Sequence, residues 1–178
     1  MIPYASMRKL SLSRLWIGAL GVSLLLSGCS TGYHSYRIAS ESMLPLLHPG
    51  DRIFVDEGDQ ARSDLHDGDV IALRRSNNVI VMKRILAMPG ETIGGTQRKV
   101  YRDGKQIDEP YLAPATGVDG PALVTFAPQT VGPGELFVMG DNRDRSFDSR
   151  AAEYEPVRLS DVVGQYSWTY WHTSSVAK

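Results

Sequence analysis

The sequence predicts a mostly-β, antiparallel domain preceded by one N-terminal membrane-targeting helix. Three observations carry that expectation. Helix-period apolar patterns are scarce after residue 35, whereas short alternating runs recur between turn signals. Glycine (17) and proline (10) are plentiful enough to punctuate many short elements. An apolar stretch lies near the start, directly behind a basic cluster. The chain's 178 residues suffice for one domain with a real core.

The N-terminal element comes first. Residues 7–29 read MRKLSLSRLWIGALGVSLLLSGC, with Arg8, Lys9 and Arg14 ahead of an apolar run from Leu15 to Leu26. A basic flank followed by a short apolar run is the pattern of an export signal or signal anchor. The positive-inside rule keeps the basic end cytoplasmic and puts everything after Leu26 outside. The run falls short of the ~20 residues that comfortably span a bilayer. A single span would therefore have to begin near Leu10 and tolerate Arg14. Leu26-Ser27-Gly28-Cys29 then resembles a bacterial lipoprotein box, in which the cysteine receives lipid and becomes the new N-terminus. Two readings stand: a lipoprotein anchored at Cys29, or an uncleaved single-span anchor. Either tethers the same domain to the outer face of the membrane, dividing the chain into a signal or anchor segment, 1–29, and an extracytoplasmic domain, 30–178.

The strands follow in order. YHSYRIASE (33–41) alternates, placing Tyr36, Ile38, Ser40 and Ser42 on one face. DRIFVD (51–56) is a second strand. DVIALRRSNNVIVMKRILAM reads as a hairpin, 69–75 with 79–87, turning at Asn77-Asn78, residues that tolerate positive φ. RKVYRDGKQID is another hairpin with Asp103-Gly104 at its tip. ALVTFAP and ELFVMGD are further strands, and DVVGQYSWTYW supplies the last one or two.

Composition excludes several function classes. A net charge of −1 with mixed signs leaves no nucleic-acid footprint. One cysteine permits neither an intramolecular disulfide nor a cysteine-based zinc site. His34, His48, His66 and His172 are scattered, none at ligand spacing to another, so no metal is expected.

Two stretches bear on chemistry. In the strand 79–85, Val79, Val81, Lys83 and Ile85 face one way, and Ile80, Met82 and Arg84 the other. A lysine between Val81 and Ile85 is either desolvated, which lowers its pKa towards that of a general base, or at a strand edge, snorkelling to water. GDNRDRSFDSR, Gly140 to Arg150, alternates acids and arginines behind the apolar strand LFVM. It is either a self-neutralising surface loop or an ordered charge-assisted network.

Taken together, four segments in order resemble bacterial type I signal peptidase, a Ser–Lys dyad family. SESMLPLLHPGD is similar to its nucleophile box, DGDVIALR to the next strand box, KRILAMPGETI to the lysine box and GDNRDRSFDSR to the last. VYRDGKQIDEPYL looks like the family's connecting segment, and the resemblance runs from Tyr36 to about Val163. It implies an open, partly closed β-barrel. It implies Ser42 as nucleophile, Lys83 as general base, Ser40 as side-chain oxyanion donor and Ser146 as the serine that holds the lysine. It implies ion pairs Arg84–Asp141 and Asp148–Arg150, and small pockets lined by Ile38, Met43, Val81 and Met82. It implies exported preproteins as substrates, membrane lipid as the other partner, and no cofactor. The chain departs from the family pattern at Ala39, Leu46 and Arg145, and most visibly after Arg150. There Ala151-Ala152-Glu153-Tyr154 replaces the usual Tyr-Trp-Gly, which points to either a general signal peptidase or one dedicated to a few secretion or conjugation substrates. A non-catalytic lipoprotein that binds extended peptides by strand addition is the reading from another class; the intact Ser42 and Lys83 argue against it.

Overall fold

A computed structural model describes residues 32–97, 99–112 and 125–173. The predicted N-terminal helix and Cys29 lie outside the described residues. Among those described, no helix is long and apolar enough to cross a membrane.

The domain is mostly β and antiparallel, as expected. A seven-stranded sheet runs in the order β1-β2-β11-β3-β4-β9-β10, and a four-stranded sheet in the order β7-β6-β5-β8. In the large sheet, β1 (Tyr33–Arg37) pairs with β2 (Arg52–Asp56), bringing Tyr36 opposite Ile53. β3 (Val70–Arg74) and β4 (Ile80–Ala87) form the predicted hairpin. Its tip is closed by Asn78 at φ 62° and by Arg75 N–H donating to the Val79 carbonyl at 3.0 Å. β9 (Glu135–Met139) pairs with β4, and β10 (Val157–Arg158) with β9.

The C-terminal apolar run is one strand rather than two. β11 (Val162–Trp171) spans ten residues between β2 and β3, with register shifts that let it follow both. Gly164 permits this crossing, because a Cβ there would collide with the Asp56 carbonyl. A short helix, α1 (Asp59–Ser63), which the sequence reading did not foresee, is tied to β11 by Gln165 Nε2 donating to the Ala61 carbonyl at 2.8 Å.

The small sheet holds β5 (Thr92–Thr96), β6 (Lys99–Arg102), β7 (Lys105–Gln106) and β8 (Phe126–Thr130). The β6–β7 turn falls at Asp103-Gly104, both at positive φ, as its residue types require. β5 reads TIGGT and shows no alternation, so it escapes pattern reading. β8 lies partly downstream of the predicted ALVTFAP, whose first residues are outside those described.

Both faces of the β3–β4 hairpin are buried. Val70, Ala72 and Met82 join Ile53, Val55, Met43 and Leu47 on one side. Ile71, Leu73 and Ile85 join Val138, Leu136 and Val162 on the other. Ile93, Val100, Phe137 and Met139 form a third cluster joining the two sheets. A strand buried on both faces reads as a continuous apolar run, and a charged residue within it is desolvated by construction.

One element differs in a way that bears on function. The first strand ends at Arg37, so Ser40 and Ser42 do not extend its face. From Met43 the apolar period changes from two to four: Leu47 N–H donates to the Met43 carbonyl at 2.9 Å, and both side chains enter the core. Burying that pair turns the chain, and Ser42 sits at the start of the turn.

Candidate active site

The β1–β2 connection, residues 38–51, is anchored at its base by Ile38 N–H donating to the Asp51 carbonyl at 2.8 Å and Gly50 N–H to the Ile38 carbonyl at 2.7 Å. Its tip is fastened to the polar stretch after β9. Asn142 N–H donates to the Ser42 carbonyl at 3.0 Å, and Asn142 Nδ2 to the Glu41 carbonyl at 3.1 Å. Ser42 is therefore held through its backbone while its hydroxyl remains available. Ser40 Oγ lies 3.2 Å from Ser42 Oγ.

Lys83 faces the same side of β4 as Val81 and Ile85, as the alternation predicts, and is 4% exposed. Its ammonium nitrogen donates to Ser146 Oγ at 3.1 Å. Burial is the largest influence on its pKa and pulls it down to about 8; Arg150 and Arg75 push the same way, against Asp148 and Asp141. The snorkelling alternative is thereby excluded, and Lys83 becomes a proton acceptor as pH rises towards about 8.

Ser40, Ser42, Val81 and Lys83 open onto one cavity of about 520 Å³, whose far wall includes Phe147 and Tyr154. Ser42 Oγ and Lys83 Nζ are not hydrogen-bonded to each other; the hydroxyl meets Ser40 and the amine meets Ser146. Hydrogen bonds of this kind commonly tighten only when substrate is bound. Ile38, Met43 and Met82 do not line this cavity. They sit 7%, 1% and 8% exposed in one core cluster, Met82 because it points to the opposite face of β4 from Lys83. The four histidines lie exposed beside surface or loop acids, away from the cavity.

The stretch 140–150 is an ordered network. Asp148, 1% exposed, accepts from Gly140 N–H at 3.0 Å and from Arg150 Nε at 2.8 Å. Burial pushes its carboxyl up, but the hydrogen bonds and charge of Arg150, helped by Ser146 and the Gly140 N–H, outweigh that and hold it below the usual range. Arg150 also donates to the Arg143 carbonyl at 2.8 Å and the Ser146 carbonyl at 3.3 Å, so it shapes the turn that presents Ser146 to Lys83. On the opposite face of β4, Arg84 grips Asp141 with two parallel bonds of 2.8 and 2.6 Å and donates to the Gly68 carbonyl at 2.7 Å.

Sequence reasoning missed a third ion pair. Arg143 is buried, donates to the Gly140 carbonyl at 3.0 Å and pairs with Glu109. Glu109 also accepts from the Tyr111 hydroxyl at 2.7 Å, and the Tyr111 ring lies 3.9 Å from the Arg84 guanidinium carbon. The connecting segment is thus wired to both Arg143 and Arg84. The available signal was the pair of side chains in Glu109-Pro110-Tyr111, one acidic and one aromatic, following a hairpin.

Two serines and a desolvated lysine share one cavity of an antiparallel β scaffold, the set of groups with which a hydrolase can activate serine by an amine rather than an imidazole. A family model described as signal peptidase, peptidase S26, matches residues 11–171, and the chain belongs to that family. It is 29% identical to signal peptidase I V of Bacillus subtilis over 164 residues, covering 86% of this chain and 96% of that one. It is 34% identical to signal peptidase I of Bacillus licheniformis over 76% of each chain. The crystal structure of a signal peptidase I from Enterococcus faecalis V583 superposes with a TM-score of 0.50 and 30% identity, covering 58% of this chain and 97% of that one.

Two outcomes are expected. Gly140 has no room for a side chain, since a Cβ would collide with Ser146 Oγ and with the Ser42 carbonyl at once. Gly140→Ala is expected to lower kcat/KM by about 100-fold, the scale of small misplacements between reacting groups, with the fold retained by circular dichroism. Lys83→Met is expected to raise stability at pH 7. The folded pKa of Lys83, about 8, lies below that of a free lysine at 10.5, so the ammonium opposes folding below pH 8 and ceases to do so above 10.5. The gain should fade as pH rises through that window in denaturant melts.

Proposed function

We propose that this chain hydrolyses the peptide bond that joins a signal peptide to an exported preprotein, with Ser42 as nucleophile and Lys83 as general base. The observation that carries the roles is that Lys83, buried and held by Ser146, opens onto the same cavity as Ser42. Neutral Lys83 takes the hydroxyl proton as Ser42 Oγ attacks the scissile carbonyl carbon. The oxyanion is met by the Ser42 N–H and the Ser40 hydroxyl, each donor contributing about 3 kcal/mol. As the C–N bond breaks, the Lys83 ammonium returns the proton to the leaving amine. Water, deprotonated by Lys83, then attacks the acyl-enzyme ester and regenerates Ser42. Ser146 and the Asp148–Arg150 and Arg84–Asp141 pairs keep these groups in register. Val81 lines the cleft beside Lys83.

The domain works at a membrane surface, tethered by residues 1–29 either through lipid on Cys29 or through an uncleaved span, with the active site on the extracytoplasmic side. Besides the basic and apolar sequence of that segment, the exposed aromatic face of β1, β2 and β11 supports this. Tyr33 and Phe54 pack on Trp168 with ring centroids 5.2 and 5.0 Å apart, and Phe54 packs on Tyr170 at 4.6 Å. Aromatic rings with polar tips favour the interface between lipid and water. Tethering near the surface raises the effective concentration of membrane-borne substrates.

Ser42→Ala and Lys83→Ala are each expected to abolish cleavage of a purified preprotein while leaving the fold intact; full activity in Ser42→Ala would sink the mechanism. In the wild type, kcat/KM should climb with pH as Lys83 loses its proton near pH 8, about tenfold per unit below that point. For the anchor, fatty-acid labelling that disappears in Cys29→Ser supports the lipoprotein form, and an unlabelled wild type favours the span.

A further inference from the structure

Arg75 stands on the same face of the sheet as Lys83. The register sets Ile71 opposite Lys83 and Leu73 opposite Val81. Arg75 follows at the end of β3, its N–H bonded to the Val79 carbonyl, so alternation carries its side chain to the Lys83 side two pairs along. Both residues line the catalytic cavity. A guanidinium at a hairpin end would ordinarily swing out to water. This one has a side chain only 11% exposed. Its guanidinium carbon sits 4.4 Å from the centroid of the Tyr154 ring, and Nη2 donates to the Glu155 carbonyl at 2.8 Å, with the Glu155 carboxylate at 3.5 Å. Tyr154 is in turn braced edge-on by Phe147, 5.2 Å between centroids. The Tyr154 hydroxyl is buried without a partner, so it is the face of the ring, not the hydroxyl, that this position uses. Tyr154 ends the stretch after Arg150, Ala151 to Tyr154, in which the sequence leaves its family's pattern, and Glu155 follows it.

We propose that Arg75 is a positioning residue of the active site: clamped by Tyr154 and Glu155, it holds a positive charge on the cavity that Lys83 lines, which favours release of the lysine proton. The proposal rests on Lys83 being the general base. Asp148 and Asp141 favour the Lys83 ammonium, whereas Arg150 and Arg75 oppose it. Arg150 is largely cancelled by Asp148, to which it is bonded directly. Arg75 is cancelled less, because the Glu155 carboxylate lies at the exposed rim, 58% open to water, which screens it. Arg145 and Glu153, also on the cavity, are exposed and screened in the same way. Removing the Arg75 charge therefore favours the ammonium and raises the pH at which Lys83 gives up its proton.

The test is the pH dependence of kcat/KM for the full-length enzyme in detergent, with a fluorogenic signal-peptide substrate. Arg75→Gln should move the ascending limb to higher pH by on the order of half a unit to one unit. The rate at pH 7 would then fall about three- to tenfold, with the high-pH plateau unchanged. Arg75→Lys and Tyr154→Phe should keep the wild-type limb, because charge and ring are retained. Tyr154→Leu should shift it in the same direction as Arg75→Gln. A limb unmoved in Arg75→Gln, or a lowered plateau with no shift, overturns the proposal and leaves the lysine base standing. A wild-type rate flat with pH together with an active Lys83→Ala overturns the base and this inference with it.

Discussion

A lysine in the dry interior of a β-sheet is the constraint around which the rest of this domain is arranged. Lys83 sits between Val81 and Ile85 on a strand buried on both faces, where an ammonium has little water to solvate it. The group has one hydrogen-bond partner, Ser146, and that serine belongs to a turn held by Arg150 and Asp148. The arginine–carboxylate pairs answer this requirement. Arg150 and Asp148 close the turn from within, while Arg84 and Asp141 fasten its start to the far face of the lysine's own strand. Because buried ion pairs contribute little net stability, their value here lies in fixing geometry.

The same network reaches Ser42. Gly140, Asp141 and Asn142 leave β9 and run directly beneath the Ser42 turn, so the backbone that begins the lysine-holding loop also carries the bond to the Ser42 carbonyl. Glu109 and Tyr111 tie in a third segment from the small sheet's side. Serine and lysine, 41 positions apart in sequence, are brought to one cavity without bonding each other. Each is positioned through the polar stretch rather than through its partner.

Several of these features were legible beforehand, for local reasons. The β3–β4 and β6–β7 hairpins announce themselves by asparagine and Asp-Gly at positions that need positive φ. The apolar neighbours of Lys83 at two-residue spacing left burial and snorkelling both open, and the burial of β4 on both faces decided between them. What escaped has equally definite causes. The strand predicted through Ser42 breaks because Met43 and Leu47 both reach the core at four-residue spacing, a competition between two periods that the segment alone cannot resolve. The strand TIGGT lacks side chains to alternate, and gains its place from pairing with β6 and β8.

By itself, the sequence determined the chemical inventory of this protein. Serines, a lysine on an apolar strand, alternating acids and arginines, and a basic-apolar leader are all local patterns, each spanning a dozen residues or so. Tertiary structure alone decided which of them meet. It put Ser42 and Lys83 on a shared cavity, buried Ile38, Met43 and Met82 in the core rather than in its lining, paired Arg143 with Glu109, and set Arg75 against Tyr154. Those outcomes depend on strand order and register, in which residues as far apart as Arg75 and Tyr154 become neighbours because β4 and β9 are hydrogen-bonded. Contacts of that range arise from the sheet's long-range pairing, and no local window contains them.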